Sequence, residues 1–260
     1  MTPVTINLFD THAHLHFPEF ADDLDAVLAR ARAAGVRRML TIGTDVATSH
    51  AAVALAAREP DVWAAVGIHP HEAAAADDAA LVEIERLASA ARVVAIGETG
   101  LDFFRHLSPR EAQERAFRAQ LALARRAGKP VLVHCRDAHE ETLSILAAEG
   151  TRERGGIMHC FSGDLEIARR CLDLGLLISL AGPVTYPRPG ALPEVARMVP
   201  SDRLVVETDC PYLPPQPYRG KRNEPAYVAI TAARVAELRG EPLADLAARM
   251  SENARALFRL

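Results

Sequence analysis

The chain has 260 residues, a mass of 28.1 kDa, a formal charge of −4 and a pI near 6.2. Its 49% apolar and 25% charged residues suit a globular fold with a sizeable core, while the acidic balance argues against holding nucleic acid by bulk positive charge. No apolar run reaches the length of a membrane span and none follows a basic start, so the expected location is cytoplasmic.

In chain order, short β-rich runs alternate with Ala/Leu/Arg/Glu segments of helical period. Strands are expected at Ile6–Asp10, Arg38–Gly43, Val62–Ile68, Val93–Gly97, Pro130–His134, Gly156–His159, Leu176–Leu180 and Leu204–Glu207. Helices are expected at Asp22–Ala34, Ser49–Arg58, Ala79–Ala90, Pro109–Ala127, Ala138–Ala148, Leu165–Leu174 and, more weakly, Leu192–Val199. Two more, Pro225–Leu238 and Leu243–Leu257, follow the last strand. Eight strand–helix units predict a single (β/α)8 TIM-type barrel over residues 1–260, with a doubly wound open sheet as the alternative.

The polar residues cluster where the apolar runs stop. The first run ends in "THAHLH", and alternation along an extended strand would aim His12, His14 and His16 the same way. "IGETGLD" ends the fourth strand with Glu98 and Asp102, "VLVHCRD" the fifth with His134, "IMHCFSG" the sixth with His159, and "VVETDCP" the eighth with Glu207 and Asp209. A closed barrel brings these ends to one mouth, pooling more ligands than one ion needs. Neutral imidazole with carboxylate suits divalent ions. Taken singly, Glu98 or Asp209 could equally cap a helix or pair with arginine.

The cysteines contain no CxxC pair and predict reduced thiols. Cys135, Cys160 and Cys210 each follow a candidate ligand, and alternation would turn them away to pack beneath the helices.

Seven stretches, "FDTHAHL", "AVGIHPH", "GETGLDFFR", "KPVLVHCRDA", "MHCFSG", "VVETDCPYLPP" and "RGKRNEP", resemble in order the motifs of the TatD-type metal-dependent deoxyribonucleases, within the amidohydrolase-like barrels. The resemblance implies two divalent ions (Mg²⁺, Mn²⁺ or Zn²⁺). His12, His14, Glu98 and Asp209 would hold one, and Glu98 would bridge to His134 and His159 on the other. It further implies hydrolysis of DNA phosphodiesters as a 3′-to-5′ exonuclease, with single-stranded DNA or 3′ ends as substrate. Asp209 would be a ligand that also orients or deprotonates the attacking water, or a ligand alone. His16 departs from the usual family pattern and is assigned to the pocket rim or to supporting a ligand.

Around these, His69 is expected to meet the scissile phosphate or else support a ligand, and His71 to face solvent. Arg105 and His106 are candidates for nucleic-acid contact, with a surface salt bridge as the competing role. Glu207, one layer below Asp209, is expected to orient a ligand. Arg219, Lys221 and Arg222 beside Tyr218 suit phosphate contact with base stacking; the alternative is a solvated loop whose Asn223 caps the last helices. Two competing functions keep the same residues: hydrolysis of another ester or amide, such as an aminoacyl ester, or a non-catalytic nucleic-acid-binding barrel.

Overall fold

The strands are near-continuous runs of Val, Ile, Leu and Ala, the pattern of strands buried on both faces. The computed structural model describes residues 6–151 and 154–260, and in it these runs form one parallel sheet of eight strands. They are β1 (Leu8–Ala13), β2 (Val36–Ile42), β3 (Val62–Val66), β4 (Val93–Asp102), β5 (Val131–Arg136), β6 (Gly156–Met158), β7 (Leu176–Leu180) and β8 (Leu204–Val206). Their spatial order is their sequence order. A parallel bridge between Ala13 and Cys210 joins the last strand's end to the first, nearly closing a barrel and disposing of the open-sheet alternative.

Nine α-helices are described: α1 (Leu24–Ala33), α2 (Val46–Arg58), α3 (Asp78–Ala88), α4 (Arg110–Ala127), α5 (His139–Glu149), α6 (Leu165–Asp173), α7 (Leu192–Met198), α8 (Val228–Arg239) and α9 (Leu243–Phe258). Their ends follow local chemistry. Asp45 and Thr48 form a reciprocal capping box at the start of α2, and Gly128, at φ +65°, terminates α4. No described helix is long and apolar enough to cross a membrane.

One apolar layer lies between strands and helices; a second, from Phe9, Leu40, Ile42, Ala65, Ala95, Leu132, Ile157, Leu177 and Val205, fills the barrel interior. Phe258 of α9 joins the inner layer, its ring centroid 5.7 Å from that of Phe9. Burying an aliphatic or aromatic side chain of this size contributes about 1.5–3 kcal/mol. The barrel is therefore packed with apolar side chains low down, and its polar side chains gather at the C-terminal ends of the strands, the face on which such barrels carry chemistry.

Two strand ends lie more than two residues from expectation, and both bear on that face. β1 runs on to Ala13, because Thr11 and His12, polar as they are, lie between paired positions. β4 runs five residues past Gly97, and a register shift between Ile96 and Thr99 marks a bulge at Glu98. Gly100 makes this possible: its φ is +142°, and a Cβ there would stand 2.0 Å from the His134 carbonyl oxygen. A bulge beside a site re-aims a side chain, and Glu98 is the one it aims.

Candidate metal centre

Glu98 is 3% exposed and its two carboxylate oxygens face different neighbours. Oε1 lies 2.8 Å from His134 Nδ1, 3.0 Å from His159 Nε2 and 3.4 Å from His69 Nε2. Oε2 lies 3.3 Å from His12 Nε2 and 3.8 Å from His14 Nε2. Asp209 completes the second group, with Oδ1 at 3.6 Å from His14 Nε2 and 3.8 Å from His12 Nε2. Three overlapping trios have ligand atoms close enough to share an ion: His12, His14 and Asp209; His12, Glu98 and His159; His69, Glu98 and His134.

The outer hydrogen bonds settle which ring nitrogen points inward. The Ile42 carbonyl oxygen, 2.9 Å from His14 Nδ1, can only accept, so Nδ1 carries the proton and Nε2 turns its lone pair to the centre. Glu207 stands 3.0 Å from His159 Nδ1 and Asp102 3.1 Å from His134 Nε2, leaving Nε2 of His159 and Nδ1 of His134 on Glu98. A carboxylate or carbonyl behind each imidazole is the usual arrangement around a metal-binding histidine.

The donor set fits a divalent cation. His12 is fully buried, and neither of its ring nitrogens has a hydrogen-bond partner; orphaned nitrogens at 0% exposure are costly unless something else binds them. Burial, with His159 adjacent, pulls His12 below the ordinary imidazole range, and burial brings His69 down to about 4. Both are thereby neutral, the form that binds a metal. Burial also acts against protonation of His14, His134 and His159, but hydrogen bonds and charges from Asp209, Asp102, Glu98 and Glu207 outweigh it and raise all three. Those carboxylates draw positive charge, whether proton or cation, into the cluster. Burial disfavours ionisation of Glu98 itself, yet His159, His69 and His12 together hold its carboxyl well below the usual range.

Asp209 is reached by the chain in a left-handed conformation, φ +57°, uncommon for aspartate and of the kind concentrated at functional sites. Its side chain is 13% exposed against 4% for Glu98, making Asp209 the more water-accessible carboxylate of the pair.

Other singled-out residues are distributed as follows. His69 joins the cluster directly. His71 is not turned to solvent: its side chain is 25% exposed and its Nε2 sits 2.9 Å from the buried Asp102 carboxylate, which draws the ring inward. His16 does not share the direction of His12 and His14, because the Thr41 hydroxyl, 2.9 Å from its Nδ1, engages its ring. Glu207 is fully buried and also accepts from the Cys160 amide and the Ser179 hydroxyl. Arg105 and His106 are exposed in the loop after β4. Arg219 and Lys221 are exposed, Arg219 lying over the Tyr186 ring, whereas the Arg222 guanidinium is engaged by both carboxylate oxygens of Asp23. Tyr218 stacks on Tyr227 with centroids 3.9 Å apart, so that face is closed to a base. Asn223 does not cap a helix; its amide donates to the Thr208 and Tyr212 carbonyls, tying the loop to the end of β8. Cys135 and Cys210 are buried as expected, but Cys160, at φ +42° beyond the end of β6, is half-buried within range of the Asp209 and Glu207 charges.

Several supporting residues escaped the sequence reading. Asp102, visible in the sequence only as a carboxylate at a strand end, faces His71 and His134 while accepting the amides of Phe104 and Arg105. Asp10 is fully buried at the seam between β8 and β1, accepting from the Thr208 amide and hydroxyl, and burial pushes its carboxyl up to about 8 despite those bonds. Gln120 of α4 holds Ile68 and Thr99 beneath the site. A signal existed for Asp10 and Gln120: each is polar at a core-facing position of its element.

An eight-stranded parallel barrel with this histidine and carboxylate cluster at its C-terminal mouth defines a metal-dependent hydrolase. The chain belongs to the TatD related DNase family, whose model matches residues 9–259. It is 43% identical over 253 residues, spanning 97% of this chain and 99% of that protein, to an uncharacterized metal-dependent hydrolase, YabD, of Bacillus subtilis. It is 45% identical over 256 residues to the 3′-5′ ssDNA/RNA exonuclease TatD of Enterobacter lignolyticus, spanning 96% of this chain and 98% of that protein. The crystal structure of YjjV, a TatD homologue from Escherichia coli, superposes with a TM-score of 0.93 at 34% identity, covering 97% of this chain and 98% of that one.

Proposed function

We propose that this enzyme removes nucleotides from the 3′ end of single-stranded DNA, using two divalent ions bridged by Glu98. The observation that carries the reading is the division of labour at Glu98: Oε2 faces His12 and His14, and Oε1 faces His134, His159 and His69. One site would then be His12, His14, Glu98 and Asp209, the other Glu98, His134 and His159. Divalent ions at such positions neutralise phosphate charge, acidify a water and stabilise the leaving oxygen. The substrate class is supported by relatives named 3′-5′ ssDNA/RNA exonucleases.

The remaining work falls to the chain's own groups. Asp209, the more exposed carboxylate, orients the attacking water and takes its proton. His69, 8% exposed and neutral at pH 7, donates a hydrogen bond to a non-bridging phosphate oxygen. Asp102 and Glu207 fix the rings of His134 and His159 from behind. Arg105, His106, Arg219 and Lys221 ring the mouth as exposed donors for the strand's backbone.

The test is a 5′-fluorescent single-stranded oligonucleotide incubated with Mg²⁺, Mn²⁺ or Zn²⁺. A ladder shortening one nucleotide at a time from the 3′ end is expected, lost in Asp209→Ala. No nucleotide release with any of the three ions, from protein that binds them, would overturn the reading and leave another ester or amide as the substrate.

A further inference from the structure

Four large apolar side chains are exposed among the described residues, and three of them, Phe104, Leu107 and Tyr212, lie on the loops that leave β4 and β8 at the mouth. Two of the three are aromatic, Phe104 at 52% and Tyr212 at 50% exposure. In an eight-stranded barrel of sequential order, the β4–β5 edge lies across from the β8–β1 edge. The two rings therefore flank the cluster from opposite sides.

Each ring belongs to a small assembly one step from a proposed ligand. Phe104 donates its amide to Asp102, the residue behind His134, and the Arg136 guanidinium at the end of β5 stands 3.9 Å over its ring. Across the mouth, the Tyr212 amide donates to the Asp209 carbonyl at 2.9 Å. Phe17, 6.5 Å from Tyr212 between centroids, stacks on His14 at 4.6 Å and 18°. A flat ring, or a ring under an arginine, offers a surface to any nucleobase whatever its hydrogen-bonding edge. Bases inside a duplex are stacked on one another and present no face to such a ring.

We propose that Phe104 with Arg136, and Tyr212 with Phe17, are two base-stacking stations that seat the last nucleotides of an unpaired strand on either side of the scissile phosphate. The proposal rests on the nucleolytic reading above and deepens it: these residues make the site select single strands. Arg136 serves twice, covering Phe104 and offering positive charge to a neighbouring phosphate.

Two measurements separate this proposal from the reading beneath it. Anisotropy of a fluorescent single-stranded oligonucleotide, with Ca²⁺ as the divalent ion, reads binding whether or not hydrolysis occurs. Steady-state kinetics on the same strand, and on one abasic at its last two positions, reads seating. Phe104→Ala and Tyr212→Ala should each weaken binding and raise KM about 5- to 150-fold on the intact strand, the range expected for a lost base–aromatic stack. Neither substitution should add a penalty on the abasic strand, which already lacks the partner. Phe104→Trp should restore KM, and the preference for single strand over duplex should shrink in both alanine variants. Thermal melting checks that all three are folded. Unchanged binding and KM in the alanine variants would overturn the proposal, as would equal losses on intact and abasic strands, or a tryptophan variant no better than alanine. If the parent binds single strands through these rings but cleaves none, the stations stand and the nucleolytic reading falls.

Discussion

Replacing Glu207 by glutamine tests whether charge behind His159, rather than shape, tunes the proposed ion site. The Glu207 carboxylate accepts from His159 Nδ1 at 3.0 Å, the Cys160 amide at 2.7 Å and the Ser179 hydroxyl at 2.5 Å. Glutamine keeps that outline. With its carbonyl oxygen in place of Oε1 it still accepts from His159 and Cys160, and its amide donates to Ser179, whose hydroxyl can reverse. His159, Cys160 and Ser179 each keep a partner and only the second amide N–H is added without one, so stability should fall by about 1–3 kcal/mol. The bond behind His159 loses its charge and roughly half its strength, making Nε2 a poorer ligand. Loss of such a partner costs roughly 10- to 100-fold in metal affinity, or about 1.4–2.8 kcal/mol. Calorimetric titration of metal-stripped protein with Mn²⁺ or Zn²⁺ reads this directly. Glu207→Leu is the contrast: it orphans three buried donors at about 1–3 kcal/mol each and should unfold the mouth. Glutamine binding ions within twofold of the parent would refute the reasoning.

Gln120→Leu should cost about 3–5 kcal/mol in urea denaturation, because the Ile68 amide, the Ile68 carbonyl and the Thr99 hydroxyl all lose a buried partner; a loss under about 1 kcal/mol would mean they find other partners. Gly100→Ala places a Cβ 2.0 Å from the His134 carbonyl oxygen at φ +142°, so β4 and β5 must part; a loss above about 2 kcal/mol is expected in the same assay, together with loss of metal binding. Burial pushes the Cys135 thiol up to about 11 and Cys171 to about 12, so a disulfide reagent at pH 8 should leave both untouched in native protein and modify both after unfolding. Mass spectrometry locates the label, and rapid native labelling of either would contradict their packing.

The strands were legible because a strand buried on both faces must be apolar throughout, and β2, β3 and β7 lie within two residues of their expected ends. The ends that carry the site were less so. The apolar run that marks β1 stops at Asp10, yet backbone pairing carries the strand on through the polar Thr11 and His12 to Ala13, and the run that marks β4 stops at Gly97 although the strand continues with a bulge. Residues that converge from several strands were visible as a class: imidazoles and carboxylates at strand ends. What a linear reading lacks is the partner behind each one. Asp102 could not be assigned to His134, 32 positions away, nor Glu207 to His159, 48 away, until strand order made them neighbours. The expectation for His71 failed for the same reason, since its fate depends on a buried acid at the end of the neighbouring strand, 31 positions on.

The seam between the first and last strands links folding to the proposed chemistry. Among the described residues it is joined by backbone bonds from the Asp209 amide to the His12 carbonyl at 2.9 Å and from the His14 amide to the Cys210 carbonyl at 2.8 Å. Below them the Thr11 hydroxyl donates to the Val206 carbonyl, and Asp10 accepts from Thr208. The residues whose backbones close the barrel are thus those whose side chains form the His12, His14 and Asp209 trio. An ion held by that trio ties residue 12 to residue 209 and exists only in the closed state, so it must stabilise closure, by about 2.7 kcal/mol at a free concentration 100 times its dissociation constant. Saturating Mn²⁺ should therefore raise the melting temperature of the metal-stripped parent. Asp209→Asn should lose most of that rise, because the trio loses its only carboxylate, while Glu207→Gln should keep it once the ion concentration offsets the weaker affinity. A melting temperature indifferent to metal in the parent would separate the ion site from the seam and leave the barrel closed by hydrogen bonds alone.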